Sequence, residues 1–398
     1  MWLLREGRNV LLLSACQALF WGALMIGITM SGLAGQMLAD HKALATLPAG
    51  IMALTTIFIT SPASRLMQRR GRRAGFLLGV AAGVIGGLVC VAAIFAGDFL
   101  LFCLGNAILG AYQAIGQYYR LAATDALPPE RHGRAVSTVM LGAILAALLA
   151  PTLSVWSKDL FAPVLFAGSF LAVSALSLAA VGLIVLLTDK TPKAAKANNE
   201  GGRPMGEILR QPIFVVALAN ASIAHGVMIL VMLSTPLAMV ACGFGVGDAA
   251  TVIQWHVLGM FLPSFFSGRL VDRFGAAPMG IAGAAVLCVS AVIAASGIAF
   301  LNFGVALALL GIGWNFMYVA GTTLITASHR PEERGRVQGA AEMAIAGTAT
   351  VTSFASAGLL NGLGWEAVNI GALPLLLIAA GLTIWYLRQS AKPLPAQA

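Results

Sequence analysis

The sequence predicts an all-α integral membrane protein, with twelve transmembrane helices in two pseudo-symmetric six-helix bundles. Three observations carry that prediction. Only 10% of the 398 residues are charged and 59% are hydrophobic, with a mean hydropathy of +0.89; a soluble domain carries about 25% charge. The apolar residues fall in long runs of the ~20 residues that a helix needs to cross a bilayer, not in the ~10-residue alternating segments of a barrel. Two loop motifs also recur about half a chain apart.

The spans follow in order. The first is read over 9–35. It includes "LLSAC", ending at Cys16, which resembles a lipoprotein cleavage site. The apolar stretch before it is very short and the run continues past Cys16, so a retained helix is expected. The second span, 43–64, ends on the basic loop "SRLMQRRGRR" (64–73). The third and fourth are 74–96 and 99–119, the fourth closing on "YQAIGQYYR" (112–120). "PERHGRAV" (129–136) leads into the fifth, 135–157, and the sixth covers 161–187. The seventh and eighth are 211–239 and 248–268, the latter running into "GRLVDRFGAA" (268–277). The ninth and tenth are 276–298 and 300–326; "PEERGRVQ" (331–338) leads into the eleventh, 337–360, and the twelfth is 366–387.

The repeats divide the chain. Gly71 and Gly275 align with an offset of 204, and Gly133 and Gly335 with an offset of 202. Each half holds an even number of spans, so the halves are parallel repeats about an axis along the membrane normal. Residues 1–187 form an N-terminal bundle and 211–398 a C-terminal one. Between them, 188–210 is a polar, Gly-rich linker of the cytoplasmic kind. The net charge of +9 reports orientation, not nucleic acid. Of the 24 Lys and Arg, all but Lys42 and Lys158 fall in the termini and even-numbered loops. That distribution puts both termini in the cytoplasm, as in a bacterial inner-membrane protein. No lysine follows a glycine, so the phosphate cradle of an ATP-driven pump is absent. A gradient must supply the energy, and no cofactor or enzymatic chemistry is expected.

The whole chain resembles the major facilitator superfamily. The loop signature G-x-L-x-D-R-x-G is intact as Gly268, Leu270, Asp272, Arg273 and Gly275. In the first half it departs, with Ser64 in place of the first glycine and Gln68 in place of the acid. The resemblance implies that these loops gate a rocker-switch motion.

Two histidines fall inside spans, His225 and His256, and both sit beside spaced methionines. His225, Met228 and Met232 lie at i, i+3 and i+7, on one helical face; His256 and Met260 lie at i, i+4. Counted from the outer boundary, Met232 and His256 lie roughly 12 Å deep and Met228 and Met260 roughly 18 Å deep. Thioethers and neutral imidazole suit copper. Methionine at helical spacing is also ordinary core filler, and an intramembrane histidine also bonds backbone carbonyls. The pattern, M-x-x-x-M with H-x-x-x-M on the next helix, looks like that of the CcoA-type copper importers, whose branch also contains riboflavin transporters. The resemblance implies copper uptake for haem–copper oxidase assembly, with Met228, Met232, His256 and Met260 as ligands. His225 is added to them from its position. It further implies a cytoplasmic copper chaperone as receiving partner and Cys242 as a redox-sensitive helper. The rival readings are a flavin-like organic solute as cargo, and a copper sensor or receptor that does not transport.

Two further features are left open. Glu342, one turn inside the eleventh span, is either a proton-coupling group or an interfacial carboxylate. Gln113, Gln117 and Arg120, with Tyr118 and Tyr119 beside them, are either a recognition surface for an organic solute or an interfacial belt.

Overall fold

The computed structural model describes residues 6–125, 127, 129–188 and 202–390. The first bundle consists of α1 (Glu6–Leu38), α2 (Leu47–Arg70), α3 (Arg72–Ala96), α4 (Phe99–Gly116), the short α5 (Tyr119–Ala122), α6 (Pro129–Lys158) and α7 (Ala167–Val185). After a short α8 (Met205–Leu209), the second bundle consists of α9 (Pro212–Ala241), α10 (Val246–Phe261), α11 (Ser264–Phe274), α12 (Ala276–Ala295), α13 (Phe300–Ala327) and α14 (Arg334–Ser390). No strand occurs among the described residues. Most of the linker, 189–201, lies outside them.

Twelve crossings result. Ten helices are long and apolar enough to cross a membrane, and α10 with α11, bent by 40°, makes an eleventh. At 57 residues α14 would be roughly 85 Å long if straight, far more than a ~30 Å hydrocarbon core. It breaks at Gly364, whose φ of 86° lies outside the helical region, and so supplies two crossings.

Three boundaries differ from the sequence reading. The eighth span is not one helix, because Pro263 has no N–H to continue the ladder. The sixth begins at Ala167 instead of 161, since 161–166 turn through a left-handed Phe166 while remaining apolar. The eleventh and twelfth join through Gly364 with almost no loop.

The repeated loops match in backbone. Gly71 has φ 89°, ψ 159° and Gly275 has φ 89°, ψ 156°, a conformation open to glycine and strained for any other residue. Each separates two helices at the equivalent place of its bundle. Directly after Gly71, Arg72 binds Asp125 across 2.8 Å and lies over the Tyr118 ring. Asp125 thus supplies an acid to a loop whose own acid position holds Gln68.

Helix contacts inside the bundles rely on small residues and internally satisfied polar groups, as lipid requires. A Cβ on Gly311 would lie 2.3 Å from the His256 carbonyl, so only glycine lets α13 approach α10 this closely. Across the bundles, α6 packs on α10 and α2 on α14. Among the described residues, hydrogen bonds between the bundles gather toward the end that carries Lys42. Ala357 N donates to Thr46 Oγ1 (3.1 Å), Asn361 Nδ2 to Lys42 O (3.2 Å) and Gln254 Nε2 to Leu148 O (3.1 Å). The protein is therefore held closed at its Lys42 end.

Candidate functional site

Midway along their lengths, α9 and α13 bring three rings together. Trp314 and Tyr318, at i and i+4 on α13, project from one face and stack, with centroids 4.9 Å apart and planes at 18°. His225 on α9 sits 6.0 Å from Trp314 and 5.8 Å from Tyr318, tilted to both. Trp314 Nε1 donates to His225 Nδ1 at 3.2 Å. All three are half-buried.

Charged groups on other elements lie near this cluster. Arg120, on α5 of the first bundle, is close enough to interact electrostatically with Tyr318 and Glu342 of the second. Arg120, Gln117 and Glu342 are exposed. Gln113 is tied to α2 through Thr56 Oγ1, which donates to its Oε1 at 3.2 Å. Near the middle, Trp21 of α1 meets Phe261 of α10 edge-on at 5.0 Å. The arrangement offers ring faces, with a guanidinium of the first bundle and a carboxylate of the second near them. That chemistry suits a flat organic molecule with polar edges better than a bare ion.

The residues expected to form a copper ladder are placed as follows. Met228, Met232 and Met260 are 2%, 8% and 6% exposed, and all belong to one apolar core cluster. His256 is fully buried, its Nδ1 donating to Leu307 O on α13 at 3.0 Å, and its Nε2 has no partner. Helices α9 and α10 pack mainly on α13 and other neighbours and only to a small extent on each other. His225 is engaged with Trp314. Cys242 is exposed at the C-terminal end of α9, without a disulfide. Gly268, Asp272 and Arg273 lie exposed along α11, leading to Gly275.

The main contributors that the sequence reading missed are Trp314 and Tyr318. Their signal was their i, i+4 spacing beside glycines in "GIGWNF" and the tyrosine two residues beyond it.

At the opposite end from Lys42, Glu333 forms a second polar constellation. Its side chain is 0% exposed. It accepts from Arg203 N (2.8 Å), Nε (3.0 Å) and Nη2 (2.8 Å), and from Arg330 N (2.9 Å). The side-chain bonds of Arg203, followed by the backbone N–H groups, hold its carboxyl well below the usual carboxylate range.

Comparison with known proteins gives these shapes a context. A family model described as Major Facilitator Superfamily matches residues 10–254 and 228–398. A riboflavin transporter of Brucella anthropi is 40% identical over 392 residues, covering 98% of each chain. An uncharacterized MFS-type transporter of Bacillus subtilis is 30% identical, covering 95% of this chain and 91% of its own. Among solved structures, a D-xylose–proton symporter superposes with a TM-score of 0.75 at 15% identity, covering 94% of this chain and 96% of its own. A bacterial homologue of the human lysosomal transporter Spinster, inward-facing and occupied, gives 0.73 at 15%, with 98% and 99% covered.

The copper expectation is corrected here. An end-to-end relative of this identity is a riboflavin transporter, and copper import for oxidase assembly does not stand against it. The physical reason for the misreading is that M-x-x-x-M and H-x-x-x-M are also how a helix fills a core and pins itself to a neighbour's carbonyl. The buried methionines and the His256–Leu307 bond have that form.

Proposed function

The chain belongs to the major facilitator superfamily, and from that premise we propose that it is a secondary transporter of a riboflavin-like solute. It is a multi-pass membrane transporter and not an enzyme. The proposed cargo is a flat, polar-edged ring system bound between the bundles against Trp314 and Tyr318. The observation that carries the reading is the half-buried stack of those two rings beside His225, facing Arg120. The relative from Brucella anthropi supports it independently.

In this reading the membrane is a bacterial inner membrane, with the end bearing Arg72, Arg203 and Arg273 in the cytoplasm together with both termini. The basic loops motivate that orientation. The bundles comprise 1–187 and 211–398, joined by the linker 188–210. The solute then exchanges with the cytoplasm in the state described, because the bonds between the bundles gather at the outer end. Rocking the bundles breaks the Thr46–Ala357 and Asn361–Lys42 contacts and opens the outer side. The α11 loop, with Gly268, Asp272, Arg273 and Gly275, closes the inner side in return. Glu342, facing Arg120, is the proposed proton-coupling group.

Uptake of radiolabelled riboflavin by a riboflavin-requiring bacterium expressing the chain tests this. Expression should confer uptake, and Trp314→Ala should abolish most of it. Uptake no greater than that of cells without the chain overturns the reading.

A further inference from the structure

The bond between Trp314 and His225 fixes more than a ring orientation. An indole nitrogen is a donor only, so the Trp314 Nε1–H requires His225 Nδ1 to be an acceptor. A neutral imidazole that accepts at Nδ1 carries its proton on Nε2, and an imidazolium cannot accept at all. The tautomer is thereby assigned by the partner. His225 consequently shows an Nε2–H to the half-exposed space at the ring cluster, where no protein group among the described residues takes it. His256 is the converse. Its Nδ1–H donates to Leu307 O, which leaves a buried lone pair on Nε2 and no donor.

We propose that His225 is the specificity-determining donor of this site: it selects ring solutes that bear a hydrogen-bond acceptor, such as a carbonyl oxygen, on the edge of the ring. The inference rests on the reading of the site as one for a flavin-like ring, and deepens it. Stacking on Trp314 and Tyr318 is indifferent to the identity of the ring, because any flat π-system has a face to offer. A fixed N–H is not indifferent once a bound ring shuts it off from water. A ring without an acceptor leaves that donor unpaired, and discrimination between ligands is greatest where a buried polar group would be stranded. The dione edge of an isoalloxazine meets this requirement with carbonyl oxygens. A three-ring aromatic without edge acceptors does not.

The test is equilibrium binding to the purified full chain in detergent, read by fluorescence quenching, with riboflavin and N-methylacridinium as probes. N-methylacridinium is flat and soluble and has no acceptor. His225→Leu should weaken riboflavin roughly ten- to a hundredfold and leave N-methylacridinium unchanged. His225→Gln places an amide N–H near the position of Nε2 and should restore most of the riboflavin affinity. Equal riboflavin binding by wild type and His225→Leu overturns the donor assignment while leaving the riboflavin reading in place. Loss of both probes in His225→Leu, without rescue by His225→Gln, shows a structural role and also overturns it. Failure of the wild type to bind riboflavin overturns the functional reading itself, and the inference with it.

Discussion

Trp314 Nε1 and His225 Nδ1 lie 3.2 Å apart across the contact of α13 with α9, and this bond gives His225 the tautomer opposite to the one that Leu307 O gives His256. His225 keeps its proton on Nε2, where no group among the described residues accepts it. His256, bonded to Leu307 O at 3.0 Å, has none there. Two residues that look alike in sequence thus have different roles, one at a polar surface and one in a helix-to-helix pin.

That bond separates two functions of Trp314, its ring and its N–H. Trp314→Ala removes both and should lower riboflavin uptake about tenfold or more, since a stacked aromatic contributes beyond its buried area. Trp314→Phe keeps a ring for the cargo but frees the His225 tautomer, and its uptake should fall between the two. Concentration-dependent uptake of labelled riboflavin checks this; equal rates for Trp314→Phe and Trp314→Ala would show that the ring contributes nothing.

The methionines should behave as packing. Met228→Ala removes a side chain only 2% exposed from the core, at a cost of about 2 kcal/mol or more. Thermal unfolding in detergent should show the loss. Copper added in stoichiometric amount should shift the unfolding temperature of neither wild type nor variant. A copper-dependent shift in the wild type that Met228→Ala abolishes would count against the packing account.

Much of the fold was legible because lipid imposes so simple a rule. Apolar runs of crossing length must be helices, and the repeated glycines at 71 and 275, which share nearly the same backbone angles, mark the two halves. The break at Pro263 was masked because the residues around it, "FLPSFF", stay apolar on both sides, and hydropathy does not register a missing N–H. The site was less legible for a different reason. His225 and its partner Trp314 are 89 residues apart, so nothing local distinguishes an accepting imidazole from a metal ligand. The neighbouring methionines supplied a local pattern, and that pattern led to copper.

Charge at the Arg72 end should show a defined pH dependence. The Glu333 carboxyl is held below its usual range by Arg203 and by backbone N–H groups. A depressed folded pKa gives stability that is fully present above the unfolded carboxylate value of about 4.3 and declines as pH falls toward the folded one. Wild type should therefore exceed Glu333→Gln in thermal stability by a constant margin from neutral pH down to about pH 5. The margin should narrow only in stronger acid. A margin that changes between pH 8 and pH 6 would point to some group other than Glu333.

Closure at the Lys42 end depends on a close approach of α2 to α14. A Cβ on Gly50 would lie 2.3 Å from the Phe354 ring, while one turn earlier Thr46 Oγ1 accepts from Ala357 N. Thr46 is completely buried in this state, so a Thr46→Cys thiol should react slowly with a membrane-impermeant maleimide. Adding Gly50→Ala forces the Phe354 ring to move and favours separation of the bundles at that end. Labelling should accelerate several-fold, since even 1 kcal/mol of bias changes a two-state ratio about fivefold. Gly50→Ala with Phe354→Ala removes the clash and should return the rate toward that of Thr46→Cys alone. Rapid labelling in all three backgrounds would mean that the Lys42 end is open without any wedge, and that the contacts there do not hold the bundles together.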